Sequence, residues 1–200
     1  MNIPNLMPYQ MNSFNGDGFI EDSFKQFQKE FNLKAAIETG TCLGSTTLFL
    51  STVFEKVLTI ENNKGYALIA INRAKALDLK NIDFIHGDSG EILSSVIYAN
   101  KIGDDTMFFL DAHWSDNCPL IKELEAIAEN KIRPVIAVHD FKVPNNPTLG
   151  FDSYNGQDFT LDWIKPHVDL IYGGAWDYHY NTDEESEGAK RGIIYIYPTI

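Results

Sequence analysis

The sequence predicts an α/β fold: a doubly wound, mostly parallel seven-stranded sheet of Rossmann-like layout, closed by an antiparallel last strand. Three observations predict it. From residue 35 onward, short apolar runs alternate with segments of helical period. Those runs are continuous rather than alternating, as in a parallel sheet covered on both faces. The last run, Gly192-Ile-Ile-Tyr-Ile-Tyr197, follows with no long helix before it, so it should pair antiparallel with its predecessor.

Residues 1–18, rich in Asn, Met, Pro and Gly, show no period and read as an irregular arm. Phe19, Ile20, Phe24, Phe27 and Phe31 fall at roughly helical intervals, so a helix over 19–31 should lay one aromatic face on the sheet. Strands are expected at 35–39, 57–60, 82–86, 105–111 and 134–138, with helices at 45–54, 63–78, 90–99 and 119–130 between or after them. A helix at 157–165, a sixth strand at 168–172 and the closing strand complete the layout. The loop 142–156, punctuated by Pro and Gly, has the length of a lid. The acidic Asp183-Glu-Glu-Ser-Glu187 reads as a solvated loop. Residues 1–34 are thus an arm and helix, and 35–200 a ligand-binding domain.

The 200 residues carry 28 Asp and Glu against 16 Lys and Arg, a formal net charge of -12. Such a surface repels nucleic acid and anionic membranes, and no Lys/Arg cluster offsets it. Cys42 and Cys118 lie far apart in the chain and form no disulfide framework, which fits a reducing cytoplasm. The amino end shows no basic-then-apolar signal, and no apolar run approaches spanning length. A small-molecule partner is expected, and a homo-oligomer is left open.

The richest segment is Ala35-Ala-Ile-Glu-Thr-Gly-Thr-Cys-Leu-Gly-Ser-Thr-Thr47. An apolar strand ends in an acid, then a Gly-containing turn leads into a helix start whose N–H groups lack intrahelical partners. Gly40 and Gly44 let the backbone turn tightly and approach a ligand. Glu38 suits a ligand with an amine or cationic centre. About twenty residues on, Val57-Leu-Thr-Ile-Glu61 ends in a second acid, the place where doubly wound folds bind ribose hydroxyls. The glycine spacing is not G-x-G-x-x-G, and the phosphate-loop lysine is missing. A phosphate-free adenosyl ligand fits best, which means S-adenosylmethionine.

Glu38-Thr-Gly-Thr-Cys-Leu-Gly44, Glu61, Gly87-Asp-Ser89 and Leu110-Asp-Ala-His-Trp114 together resemble the class I S-adenosylmethionine-dependent methyltransferases. The likeness is greatest to the catechol-type O-methyltransferases and covers residues 35–140 by motif. It implies the methyltransferase version of the sheet. It also implies that Gly40, Thr41 and Gly44 face the methionine part, with Glu38 near its ammonium and Ser45 or Thr46 near its carboxylate. Glu61 would take the ribose hydroxyls, and Asp88 with Ser89 the adenine edge. Helix capping is the competing reading for Asp88. Asp111 borders the cofactor as well.

In the catechol-type enzymes two Asp and one Asn hold magnesium; Asp111 and Asp140 match the two Asp positions. The Asn position is Phe141 here, and the lysine base is replaced by Ser115. Two substitutes are at hand. His139 or His113 with Asp111 and Asp140 would form a mixed site, His139 being the favoured imidazole, and such a site suits manganese, iron or zinc over magnesium. Alternatively His113 or His139 acts directly as the base, beside Asp111; a structural role for both histidines is the third reading. Trp114, Trp176 and Tyr178, with His179 nearby, are expected to wall the acceptor pocket, with Tyr154 and Asp158 as weaker candidates. The expected activity is transfer of a methyl group to a small-molecule hydroxyl. A nitrogen acceptor and a non-catalytic S-adenosylmethionine-binding protein are the alternatives.

Overall fold

The apolar runs pair into one twisted sheet in a computed structural model that describes residues 11–114 and 117–199. Strands β1 (Ala35–Thr39), β2 (Lys56–Glu61), β3 (Ile82–His86), β4 (Thr106–Leu110) and β5 (Val135–His139) run parallel. With β8 (Trp176–Tyr180) and β9 (Ile193–Pro198) the sheet reads β3-β2-β1-β4-β5-β9-β8, and β9 is antiparallel to both of its neighbours. The expected α/β fold and antiparallel closing strand are therefore present. The strand order reverses between β1 and β4, so the carboxyl ends of those two strands open a crevice.

Period-two alternation divides the strand side chains between two helical layers. Phe108 and Leu110 point into a core shared with α4 (Ser89–Asn100), α5 (Leu120–Glu129) and α6 (Leu161–Tyr172). Met107 and Phe109 point the other way, toward α1 (Gly18–Glu30) and α2 (Ser45–Val53). Helix α1 buries Ile20, Phe24 and Phe27, the aromatic face expected from its spacing. Phe24 meets Phe109 edge-on at 5.7 Å and Tyr195 at 6.5 Å. Each such buried ring contributes about 1.5–3 kcal/mol by leaving water. Helix α3 (Lys64–Ala76) follows β2 and presents Ala67, Ala70 and Ala74 inward, which lets its neighbours approach closely.

Asp17 caps α1 by accepting from the N–H groups of Phe19 and Ile20. Its second oxygen accepts from Ser186 Oγ at 3.1 Å and Glu187 N at 3.2 Å. The acidic run is thus only partly the solvated loop expected, because Ser186 is buried against this cap. Ahead of Asp17, a short 3-10 turn at Ser13–Gly16 inserts Phe14 among Phe24, Phe49 and Phe109. The first ten residues of the expected arm lie outside the described residues.

The region after β5 departs from expectation. The segment 168–172 is the end of α6 rather than a strand: Ile164, Val168, Ile171 and Tyr172 are buried at helical spacing. Pro166 sits inside that helix, where a break had been read. Gly173 and Gly174, both at positive φ, end it and swing the chain into β8 at the sheet edge. The loop 142–156 is fastened rather than free. Asp152 N donates to the Asp140 carbonyl, and Gly192 N donates to the Gly150 carbonyl. It continues into a small hairpin of β6 (Ser153–Tyr154) and β7 (Gln157–Asp158). Among the described residues no helix is long and apolar enough to cross a membrane.

Candidate active site

The turn after β1 is built by contact with protein. Gly40 has φ +87°, and a Cβ there would lie 2.4 Å from the Asp111 carbonyl oxygen. Gly44, at φ +79°, begins α2 and would place a Cβ 2.7 Å from that of Ala70. Glycine is therefore demanded at both positions by backbone conformation and by neighbours within the chain. Glu61, at the tip of β2, ties this turn to the next one. One carboxylate oxygen accepts from Cys42 N at 2.7 Å and the other from Asn63 N at 2.8 Å. The N–H of Asn62 is a third backbone donor acting on this carboxylate. Burial raises the Glu61 pKa, and those backbone N–H groups oppose the rise.

Glu38 lies beneath the turn. It is 1% exposed, and its Oε2 accepts from Thr47 Oγ1 and, at 2.6 Å, from Thr59 Oγ1. Thr59 has a single hydroxyl proton, so Thr41 Oγ1, 2.5 Å away, donates to Thr59. Burial, opposed by the two threonines, pushes the Glu38 pKa from 4.5 to about 8. Between these values the folded chain holds a proton that the unfolded chain has lost, so stability falls as pH rises. Glu38→Gln is expected to make urea midpoints less pH-dependent between pH 5 and 9. The variant should match the unchanged chain near pH 5 and exceed it by on the order of 2–4 kcal/mol at pH 9. Parallel pH profiles would show that Glu38 is ionised in the folded protein.

The ends of β4 and β5 gather the second group of residues. His139 is buried, with Nδ1 3.3 Å from Asp111 Oδ1 and 3.4 Å from Asp140 Oδ1, yet this nitrogen makes no hydrogen bond of good geometry. His113 Nε2 lies 3.0 Å from Asp140 Oδ2 and 3.6 Å from Asp111 Oδ1. Burial disfavours the charged form of His113, but the Asp140 hydrogen bond and the charges of Asp111 and Asp140 outweigh it, leaving the pKa raised. The same balance holds His139 well above the ordinary value. For Asp140 burial acts upward, but the two histidines win and hold it well below the carboxylate range. Asp140 adopts φ +56°, a left-handed conformation that Asp tolerates better than most residues.

Two residues that the sequence did not signal complete this cluster. Arg191, just before β9, donates from Nε to Asp140 Oδ1 and from Nη2 to Asp152 Oδ1. Asp152 Oδ2 is 3.8 Å from His113 Nε2. Two three-ligand groups result, each with donor atoms within 4.8 Å of one another: Asp111, His139 and Asp140, and His113, Asp140 and Asp152. The first is the set expected from sequence. A buried imidazole nitrogen that lies between two carboxylates without a well-formed hydrogen bond is chemically suited to a divalent ion.

No protein-family model matches the chain. An O-methyltransferase from Bacillus cereus in complex with SAH superposes with TM-score 0.65 at 18% identity, covering 98% of this chain and 83% of that one. The O-methyltransferase TomG from Streptomyces achromogenes, involved in tomaymycin synthesis and bound to SAM, gives 0.63 at 14% identity, covering 90% and 80%. The fold is a methyltransferase fold. A curated relative, protein-L-isoaspartate O-methyltransferase from Pseudoalteromonas atlantica, is 39% identical over 62 residues. That match spans 31% of this chain and only 29% of the relative.

On this methyltransferase sheet the other expected site residues lie as follows. Ser45 Oγ accepts from Arg73, and Thr46 Oγ1 accepts from Phe14 N at 3.0 Å, so both serve contacts within the protein. Asp88 caps α4 through Gly90 N, as the competing reading held, and its other oxygen accepts from Asn117 Nδ2. Ser89 is buried, its Oγ without a well-formed hydrogen bond. Trp114 stands exposed directly after His113. Trp176 does not reach the cluster. It opens β8 opposite Pro198, whereas His139 pairs with Ile193 at the other end of β9. Its indole N–H donates to Asp169 of α6, so it covers that helix. Tyr178 packs against Trp176 in mid-strand, the two rings tilted by 44°, and belongs with it. His179 points to the opposite face and stacks on Phe27. Tyr154 does approach, its ring 6.1 Å from that of His113, whereas Asp158 pairs with Lys142. Phe141 is fully buried against Tyr180, leaving nothing of a third oxygen ligand at that position. Ser115 lies outside the described residues.

Glu123, in the first turn of α5, is a further buried acid that no motif announced. Burial pushes its pKa to about 7, opposed by the hydroxyls of Ser89 and Thr39. Amphipathic spacing marks this position as inward-facing, but the residue type alone argued for solvent.

Proposed function

We propose that the chain is an S-adenosylmethionine-dependent methyltransferase that acts on a hydroxyl group of a small molecule with the help of a divalent cation. The observation that carries this reading is the direct packing of Gly40 on the Asp111 carbonyl. It sets the turn expected to hold the methyl donor against the strand end expected to prepare the acceptor. The net charge of -12 favours a small acceptor over nucleic acid, and the two free cysteines fit a reducing cytoplasm.

When bound, S-adenosylmethionine supplies an activated methyl group on a sulfonium, and a divalent cation lowers the pKa of a coordinated hydroxyl. The chain's part is to orient the reactants and manage a proton. Glu61 would accept from a ribose hydroxyl, and the Gly40–Gly44 turn defines the donor side. Asp111, His139 and Asp140 would hold the cation, while His113 holds a proton at Nε2 against Asp140 Oδ2. Trp114, exposed beside them, offers an aromatic face to the acceptor. The buried Phe141 departs from the catechol-type ligand set, so the reading is of O-methyl transfer through a mixed imidazole–carboxylate site.

Calorimetric titration with S-adenosylhomocysteine and with NAD tests the cofactor, and binding of NAD alone would defeat the reading. Turnover of sugar, polyol or phenol hydroxyls should then be lost on chelation and in Asp111→Ala. Activity indifferent to chelator but lost in His113→Ala would leave a metal-free base in its place. Cofactor binding without turnover of any acceptor would mark a binding protein.

A further inference from the structure

We infer that Arg191 is a built-in counter-cation that restricts this site to one divalent ion, and that it occupies the charge position of a second ion. The inference rests on the cation reading of the preceding section. Its basis is the overlap of the two ligand groups at Asp140. That carboxylate belongs to the set with Asp111 and His139 and also to the set with His113 and Asp152. Asp140 is thus placed as a bridging carboxylate, the arrangement that joins adjacent ions in two-metal centres.

Asp140 Oδ1, which Arg191 bonds, also faces His139 of the first set, but only the second set has two of its ligands, Asp140 and Asp152, bonded to a cation. The guanidinium of Arg191 reaches Asp140 with Nε and Asp152 with Nη2, whereas Asp111 receives no bond from it. A planar fork with several fixed donors suits two carboxylates better than an ammonium does. Charge counting agrees. With both imidazoles neutral, as a bound cation requires of a ligating histidine, Asp111, Asp140 and Asp152 bring three negative charges, and Arg191 cancels one, leaving two for a single divalent ion to balance. A second ion beside Arg191 would meet both its charge and its bulk.

The difference between the two sets also shows in their hydrogen bonding. His139 Nδ1 is buried on the side of the first set and lacks a well-formed hydrogen bond, although Asp111 and Asp140 lie 3.3 and 3.4 Å away. In the second, His113 Nε2 is already bonded to Asp140. The first set has ion-pair contacts but no well-formed hydrogen bond at its imidazole; the second has one.

The test is the stoichiometry of manganese binding, read from the spectroscopic signal of free Mn2+ during titration of the purified chain without cofactor. The unchanged chain and Arg191→Lys should each bind one ion. Arg191→Gln should bind one more, at least about tenfold tighter than any additional binding in the unchanged chain. Arg191→Gln combined with Asp152→Asn should lose that extra ion. Arg191→Met, which keeps much of the side chain's length without its charge, serves if the glutamine variant fails to melt cooperatively. No gain of an ion in the neutral variants overturns the inference, as does an extra ion that persists without Asp152. Absence of any ion in the unchanged chain would instead defeat the cation reading. A gain of one Asp152-dependent ion in the neutral variant would even then support the role of Arg191.

Discussion

Asp140→Ala is expected to cost about 3–5 kcal/mol of folding stability and to abolish detectable methyl transfer. The loss has two sources. Removing this carboxylate takes the shared acceptor from the partly buried Arg191 and the buried His113, leaving Arg191 with Asp152 alone and His113 with no carboxylate nearer than 3.6 Å, and weakening the pairing of buried charge is costly. Alanine also fits the left-handed backbone at this position, φ +56°, less well than aspartate does. Asparagine tolerates that conformation and keeps one acceptor oxygen. Asp140→Asn should therefore recover much of the stability, as measured by urea denaturation, without recovering turnover. The paired variants separate structural from chemical demand. Full activity in Asp140→Asn would mean that its charge plays no part in the reaction.

Gly40→Ala is the second substitution with a large expected effect. Its Cβ would be 2.4 Å from the carbonyl oxygen and 2.9 Å from the carbonyl carbon of Asp111, both backbone atoms that cannot rotate away. Adding the strain of φ +87°, the cost is on the order of 2–4 kcal/mol. Relief requires β1's turn and β4's tip to separate, which on the proposed function would move the donor side away from the acceptor side. Affinity for S-adenosylhomocysteine should fall by about tenfold or more in calorimetry, alongside a lower urea midpoint. An alanine variant with unchanged affinity and a stability within about 0.5 kcal/mol would show that the contact is not maintained in solution.

Local pattern made the parallel half of the sheet legible. The apolar run at 35–39 coincides with β1, because a strand buried among neighbours needs a continuous apolar sequence, and the run at 82–86 coincides with β3, an edge strand that is only partly buried. The same logic failed after residue 160. Val168-Asp-Leu-Ile-Tyr172 has a strand-like composition, and its helical period emerges only when Ile164 is counted across Pro166. Trp176–Tyr180 is an edge strand with three exposed residues in its centre, so it lacked the apolar signature that marked the others.

The candidate site divides in a similar way. Asp111, His139 and Asp140 end strands, and strand ends on one sheet edge must converge; their grouping follows from topology alone. Asp152 and Arg191 come from loops far apart in sequence. Only the closing of β9 onto β5 brings Arg191 beside Asp140, so no local spacing encodes the pair. The acidic residues of the Gly turn were legible as to type, but Glu38's inward orientation depends on Thr47 and Thr59 meeting it from two other elements.

Asp17 has a consequence for the way this chain comes off the ribosome. The carboxylate that starts the first helix finishes its own bonding only with Ser186 and Glu187, some 170 positions later. That helix also rests on Tyr195. During vectorial synthesis Phe24 can meet Phe14 and Phe109 early, but Phe27 and the cap wait for residues 186–195 to emerge. The amino-terminal helix is therefore completed late, by residues distant in the chain.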